Sequence, residues 1–133
     1  MKDKFDLKIL LPEGLKYDKS VEGVILPGKG GEFEVKANHI SLISPLKSGK
    51  ISIYESEDSM KNMAISGGIC KAEPDNVKLI LKQALFSDEI DINTAEEEKN
   101  KAQQKLKSES KKLDKNELQR EIDFAEAKID VAK

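Results

Sequence analysis

The sequence is poor in the residues from which catalytic and metal sites are usually built. Among its 133 residues there is one cysteine, one histidine and no tryptophan. The single cysteine, Cys70, cannot form an intrachain disulfide, so a reducing compartment is expected. One cysteine and one histidine do not supply the usual ligand set of a zinc site, so no metal site is expected.

Long apolar runs and a surplus of one charge are also missing. No stretch of 18 or more apolar residues occurs, which argues against a membrane-spanning helix and against direct insertion into a membrane. Residues 1–14 do not resemble a signal peptide. The formal net charge is −2, whereas binding to phosphate backbones requires a clustered basic surplus, so nucleic acid is not expected as a partner.

Motifs for catalysis and cofactor binding are absent as well. No P-loop pattern occurs, and the glycine-rich run at 27–31 lies between two strand-like segments, where a hairpin turn explains it. The carboxylates form no pair in an apolar setting that would raise a pKa. Cys70 is expected to be a buried apolar residue and His39 a structural or interfacial one. The residues alone therefore predict a protein that is not an enzyme and needs no cofactor.

Glycine and proline are confined to the first part of the chain. No glycine follows Gly68 and no proline follows Pro74. Before these positions, short apolar–polar alternations are separated by turn signals at the intervals of about 8–12 residues typical of all-β sandwiches. Residues 93–133 contain no glycine or proline. The sequence thus predicts an N-terminal antiparallel β-sandwich over 1–88 and a C-terminal antiparallel two-helix hairpin over 89–133.

The β part is expected to consist of short strands. The alternation of Phe5, Leu7 and Ile9 with charged residues predicts a first strand with one buried face. Turns are predicted at 12–14, 27–31, 47–49, 57–59 and 74–76, with further strands near 21–26, 33–35, 41–46, 51–55, 63–65, 69–73 and 77–81.

The second part carries two narrow apolar stripes. Capping boxes beginning at Asn93 or Thr94 and at Asp114 predict where the two helices start. The stripes that would form the seam of the hairpin contain Ala95, Ala102, Leu106, Leu113, Leu118, Ile122, Ala125 and Ile129. Because stripes so rich in alanine bury little surface, the hairpin needs the sandwich or a partner to hold it in place.

Three stretches together resemble a known family. Residues 28–51 (GKGGEFEVKANHISLISPLKSGKI) carry Gly-Gly-Glu-Phe followed by a histidine and Leu-Ile-Ser. Residues 63–81 join a strand, Ser-Gly-Gly, a second strand and a Pro-Asp-Asn-Val turn. Residues 84–102 lead through Asp-Glu-Ile-Asp into a helix. In this order the stretches resemble the epsilon subunit of F-type ATP synthases, called delta in mitochondria.

The resemblance implies a non-catalytic rotor subunit of a proton-translocating ATP synthase, which couples rotation of the membrane c-ring to the catalytic head through the gamma subunit. It implies a c-ring contact formed by Gly31, Glu32, Phe33, His39 and Leu42. It also implies contact with the alpha and beta subunits when the hairpin extends to regulate ATP hydrolysis. The implied location is peripheral, on the cytoplasmic face of the bacterial inner membrane.

Three departures from the family pattern carry further expectations. Ile90, Asp91 and Ala95 match a nucleotide-binding motif, but Thr94 stands where the motif has arginine. Without the guanidinium that would pair with a phosphate, no ATP binding is expected. Residues 114–133 carry four bases and six acids (4 − 6 = −2), so strong inhibition through an acidic partner surface is not expected. Asn38 replaces the usual glycine and is expected to adopt the left-handed conformation.

The main alternative is a β-sandwich binding module with a helical dimerisation tail. This alternative predicts a stable homodimer, whereas the epsilon resemblance predicts a monomer in isolation. An enzyme with a polar pocket around His39 is a third and weaker interpretation.

Overall fold

The computed structural model describes residues 3–39, 41–107 and 115–133. In these ranges strands are followed by a short 3-10 helix and two α-helices, which confirms the predicted order of a β domain and a helical pair. The elements are β1 Phe5–Leu11, β2 Gly14–Val21, β3 Gly23–Gly28, β4 Gly31–Lys36, β5 Leu42–Ser56, β6 Ser59–Glu73, β7 Asn76–Leu81, β8 Ala84–Phe86, the 3-10 helix Ser87–Glu89, α1 Ile92–Lys107 and α2 Lys115–Ala132.

The strands are hydrogen-bonded in the order β2-β1-β7-β6-β5-β3-β4, and β8 pairs with β6. Within the described ranges every pairing is antiparallel except β1–β7, which is parallel. Antiparallel neighbours can be joined by tight hairpins, but a parallel pair needs a long connection. Here strands β2 to β6 form the connection between β1 and β7. The alternation of apolar and polar residues within one strand does not reveal that β1 and β7 pair.

Strands β5 and β6 form one long hairpin of two 15-residue strands, so the turn predicted at 47–49 is wrong. Ser48 and Gly49 instead pair with Ser66 and Ile65. Gly49 serves close packing, because a Cβ there would lie 3.0 Å from the Pro27 Cβ. The predicted tip at 57–59 is confirmed as a turn at residues 57–58.

Strand β2 was not expected, because few of its residues are apolar. Only Tyr17 and Val21 are buried along it. The glycine-rich run is confirmed as a hairpin turn: Gly28 pairs with Gly31, whose φ is 134°. Asn38 has φ 63°, which confirms the predicted left-handed conformation.

The main core lies inside the β-sandwich. Phe5, Leu7 and Ile9 are buried as their alternation predicts. Cys70 is also buried, and this burial raises the pKa of its thiol to about 11. A thiol held protonated in an apolar core is a packing residue rather than a nucleophile.

Helix α1 begins earlier than predicted. The backbone N–H groups of Asn93 and Thr94 donate to Asp91 Oδ1 at 3.0 and 3.4 Å. Asp91 is therefore the N-cap, and the prediction of Asn93 or Thr94 is wrong. The carboxylate also interacts favourably with the helix dipole, and the half-buried Ile90 before it packs beside α2. Asp114, the predicted cap of the second helix, lies outside the described residues.

Neither helix in the described ranges combines the length and apolar content needed to cross a membrane. The same ranges contain no group of three or more His, Cys, Asp or Glu side chains placed to hold a metal ion.

Candidate docking surface and hairpin contacts

The sandwich carries exposed apolar residues that line up across five strands. Pro45 pairs with Ile69, Ile69 with Ile80, Ile80 with Leu10 and Leu10 with Leu15. Residues opposite each other on neighbouring strands share a face of the sheet. Ile69, Ile80 and Leu15 are 47%, 52% and 56% exposed. These five residues, the apolar row, form a contiguous strip that is exposed except at the half-buried Leu10. Strips of this kind mark interaction sites.

A second row lies two residues away along these strands, with three lysines between Ile43 at one end and Asp18, the register partner of Lys8, at the other. Lys71 pairs with Lys78, and Lys78 pairs with Lys8. Like charges directly opposite each other repel. Lys71 has one exposed ion pair, to Glu73 at 3.8 Å. These three residues, the lysine row, favour an acidic partner along one side of the apolar row.

The predicted c-ring contact residues fall into two groups. Gly31, Glu32 and Phe33 start β4 at its hairpin end, with Glu32 exposed and Phe33 half-buried. His39 follows the opposite end of β4. From the rise per residue of a strand, that end at Lys36 lies about 16 Å from Gly31. The His39 ring packs edge-on against Phe5 at 5.5 Å.

Leu42, the remaining predicted contact residue, is half-buried at the start of β5. Gly31, Glu32 and Phe33 are thus adjacent, and His39 is separated from them along β4.

The hairpin rests on the sandwich through α2. Phe124, Ala127 and Val131 of α2 pack on Ala64 of β6, with Leu85 and Ile90 at the side of this cluster. Lys50 and Asp130 add an exposed ion pair of 3.5 Å. The contact is mainly apolar, and α2 lies against both β5 and β6.

The predicted hairpin seam contains residues of both helices. Ala95, Ala102, Leu118, Ile122 and Ala125 are buried. Leu106 and Ile129 are half-buried, and Leu113 lies outside the described residues. Helix α1 packs along α2.

An ion pair that sequence reasoning missed joins the two helices. Lys128 is 7% exposed and donates to both carboxylate oxygens of Glu98 at 3.0 Å. Its ammonium also lies 4.6 Å from the centroid of the Phe124 ring. Glu98 and Lys128 are 30 residues apart in sequence, and only the antiparallel packing of the helices brings them together.

A polar network stabilises the sandwich near the connection to the hairpin. The Tyr17 hydroxyl donates to Glu55 at 2.5 Å, and Ser59 donates to the same carboxylate at 3.1 Å. Lys19 and Lys61 lie 3.6 and 3.8 Å from it. The hydrogen bond from Tyr17 is the main cause of the lowered pKa of Glu55. Burial is the main cause of the raised pKa of Tyr17, and the hydrogen bond to Glu55 and its negative charge raise this pKa further.

A neighbouring ion pair holds the 3-10 helix Ser87–Glu89, which connects β8 to α1, against the sandwich. Lys16 of β2 donates to Glu89 at 2.6 Å, and this hydrogen bond lowers the pKa of Glu89. Glu89 in turn accepts the backbone N–H of Phe86 at 3.0 Å. The ring of Phe86 lies 6.1 Å from that of Tyr17, so the segment leading to α1 is tied to the sandwich at several points.

Replacing Glu55 by glutamine is expected to lower the free energy of unfolding at pH 7 by about 1–2 kcal/mol. The pKa of Glu55 is lower in the folded chain than in the unfolded chain, where it is about 4.3. The ionised carboxylate therefore stabilises the fold at pH values above about 4.3. That stabilisation is lost as pH falls through the folded pKa. Urea unfolding should therefore show a gap in stability between wild type and Glu55→Gln that is smaller at pH 3 than at pH 7.

The control for this prediction is Glu13→Gln, because Glu13 is exposed in the β1–β2 turn. It should unfold like the wild type at both pH values. A gap for Glu55→Gln that stays constant between pH 7 and pH 3 would contradict the assignment.

Residues of the matched nucleotide motif have structural contacts in this chain. Asp91 caps α1, Ile90 packs at the side of the α2 contact, and Ala95 is buried. Thr94, in the place of the arginine, is exposed on α1.

The fold is a β-sandwich that carries a largely exposed apolar row, with two helices folded on its side. Residues 4–87 match the model of the ATP synthase delta/epsilon chain β-sandwich domain. The ATP synthase epsilon chain of Magnetococcus marinus is 30% identical over 125 residues, 93% of this chain and 90% of that one. That of Campylobacter jejuni subsp. doylei is 39% identical over 108 residues, 79% and 80% of the two chains.

A solved structure has the same fold. A chain of the Euglena gracilis mitochondrial ATP synthase, in a structure of OSCP, F1 and c-ring, matches with a TM-score of 0.82. The identity is 17%, over 93% of this chain and 78% of that chain. The present chain therefore belongs to the ATP synthase delta/epsilon chain family. It is accordingly a subunit of the membrane-associated ATP synthase complex and is not itself catalytic.

Proposed function

We propose that the chain is a central-stalk subunit that couples rotation of the c-ring to the catalytic head through the gamma subunit of a proton-translocating ATP synthase. The observation that carries this proposal is the apolar row, which lies largely exposed on a sandwich with a buried apolar core. Torque transfer requires a stiff body held over a wide area, because spread contacts resist shear better than a single strong one. A hydrogen-bonded sheet meets that requirement.

Two contacts follow from this proposal. The apolar row and the lysine row form the surface for the gamma subunit, with the lysines facing carboxylates of the partner. Gly31, Glu32 and Phe33 at the β3–β4 hairpin form the main contact with polar loops of the c-ring, and His39 and Leu42 contact it separately. The exposed Glu32 carboxylate is suited to arginine or backbone amides on a ring loop.

The two parts of the chain have separate roles in this proposal. Residues 1–88 dock on the rotor, and residues 89–133 regulate hydrolysis by leaving the sandwich and reaching the alpha and beta subunits. The mainly apolar α2 contact is the surface that would separate in this role. The proposed location is the cytoplasmic face of the bacterial inner membrane.

The alternative of a helical dimerisation tail is less well supported. Helix α2 packs its apolar residues on the chain's own β6, which leaves little apolar surface for a second copy.

ATP binding by this subunit is not part of the proposed function. Asp91 is engaged as a helix cap, and Thr94 offers no positive charge to a phosphate. Titration calorimetry of the purified chain with ATP is expected to show no saturable heat. A dissociation constant in the micromolar range would contradict this expectation.

Co-purification tests the stalk assignment as a whole. The full chain, expressed together with a gamma subunit and a c-ring, is expected to elute with both in one complex. Elution apart from both partners would reject the proposal.

A further inference from the structure

The apolar row has lysines on its other side as well. Lys47 lies two residues beyond Pro45 on β5, and Lys82 lies two residues beyond Ile80, directly after β7. Both lysines are exposed, and the residue that precedes each of them is buried. The alternation of the two strands therefore continues, and the apolar row runs between two borders that contain lysines.

The strip between these borders has the dimensions of one α-helix. Residues two apart on a strand are separated by about 6–7 Å, so the two borders lie about 13 Å apart. A helix with its side chains is about 10–12 Å wide. The row crosses β5, β6, β7, β1 and β2, which gives it a length of about 19 Å at the usual strand spacing. About 13 helical residues span that length.

A strand or a second sheet fits this surface less well. A strand binds by adding to the edge of a sheet, but β5, β6, β7 and β1 each have a hydrogen-bonded neighbour on both sides. A packed sheet buries several rows of side chains at once, whereas the rows on both sides of the apolar row contain lysines. A single apolar strip with charged borders is the complement of an amphipathic helix.

The chain already holds one helix in this way on another part of the sandwich. The apolar side of α2, which includes Phe124, packs on Ala64 of β6. Beside this apolar contact, Asp130 of α2 pairs with Lys50 of β5 at 3.5 Å. The α2 contact therefore combines apolar packing with a carboxylate of the helix and a lysine of the sheet.

The border lysines can accept carboxylates from a partner. Lys47, Lys78 and Lys82 form no ion pair with another described residue. Carboxylates of a partner would make charge-assisted hydrogen bonds with these ammonium groups. They would also offset the repulsion between Lys78 and its register partners Lys8 and Lys71.

We propose that the apolar row binds a single amphipathic helix of the partner, which crosses the strands and carries carboxylates on both sides of its apolar stripe. This inference rests on the proposed docking function and identifies the kind of element in the gamma subunit that the sandwich recognises. Apolar residues at intervals of three or four face the row, because the helical pitch of about 5.4 Å is close to the spacing between strands. The carboxylates on one side meet the lysine row, and those on the other side meet Lys47 and Lys82.

Carbodiimide cross-linking of the full chain bound to purified gamma subunit tests this arrangement, because it joins lysines to carboxylates that are in contact. Both borders are expected to cross-link to one gamma segment of about 13 residues. Carboxylates joined to the same border should be three, four or seven residues apart, as on one side of a helix. Lys101, exposed on α1, is the control and should not cross-link to this segment.

Charge reversal provides a second measurement. Lys78→Glu and Lys82→Glu, one from each border, should each weaken binding of gamma by roughly tenfold. Added salt should reduce this loss. Lys101→Glu changes the net charge equally and should leave the affinity within about twofold of the wild type.

The proposal is overturned if the two borders cross-link to separate segments of gamma, or if the joined carboxylates alternate at every second residue as in a strand. It is also overturned if the cross-links join two copies of this chain, or if neither border variant weakens binding more than Lys101→Glu. Gamma binding itself is measured in the same experiments, so these outcomes leave the stalk assignment intact. If gamma does not bind at all, the stalk assignment and this inference fail together.

Discussion

Replacing Ile80 by aspartate is expected to weaken binding of the chain to the gamma subunit by about 100-fold while the chain stays folded. Ile80 lies in the middle of the apolar row and is half-exposed in the isolated chain. Docking would bury the rest of this side chain, and the substitution removes that gain. It also places a carboxylate in a desolvated interface. The dissociation constant can be measured by titration calorimetry.

A matched control separates docking from general surface effects. Met60 is 51% exposed, close to the 52% of Ile80, but does not belong to the apolar row. Met60→Asp should change the affinity for gamma by less than about threefold. Equal losses for the two variants, or no loss for Ile80→Asp, would show that the row is not the docking surface.

Replacing Phe124 by alanine is expected to free the hairpin from the sandwich. Phe124 is the largest side chain of the α2 contact, where it packs on Ala64, and it also lies under the Lys128 ammonium. Truncating a buried phenylalanine costs about 3–5 kcal/mol. Amide hydrogen exchange across α2 should therefore accelerate by about 100-fold or more, whereas exchange in β1 and β7 should remain slow.

The conservative variant Phe124→Leu keeps most of the buried surface. It should accelerate exchange in α2 by less than about tenfold. An acceleration of less than about fivefold for Phe124→Ala would mean that α2 is held by groups other than this apolar cluster. Equal acceleration in β1 would mean that the hairpin and the sandwich unfold together.

Features encoded by neighbouring residues could be predicted from the sequence. These features are the buried face of β1, the glycine turn at 28–31, the left-handed Asn38 and the helical nature of Ile92–Lys107 and Lys115–Ala132. Each depends on local pattern or local backbone preference. Local rules also explain the error at α1. Asp91, Asn93 and Thr94 are all good caps, and the packing of the half-buried Ile90 beside α2 favours Asp91.

Features encoded by strand pairing could not be predicted. Nothing in the local sequence distinguishes Leu10, Leu15 or Ile80 from other residues of an alternating strand. The pairing of β1 with β2 aligns Leu10 with Leu15, and the parallel pairing of β1 with β7 aligns Leu10 with Ile80. Ser48 was expected in a turn, and the long β5–β6 pairing places it opposite Ser66 instead. The Glu98–Lys128 pair likewise depends on how two helices pack.

Native mass spectrometry of the full chain with purified gamma subunit tests most directly whether the apolar row docks this chain on a rotor partner. A monomer in isolation and a one-to-one complex with gamma are expected. A homodimer that takes up no gamma subunit would show that the apolar row is not a rotor-docking surface.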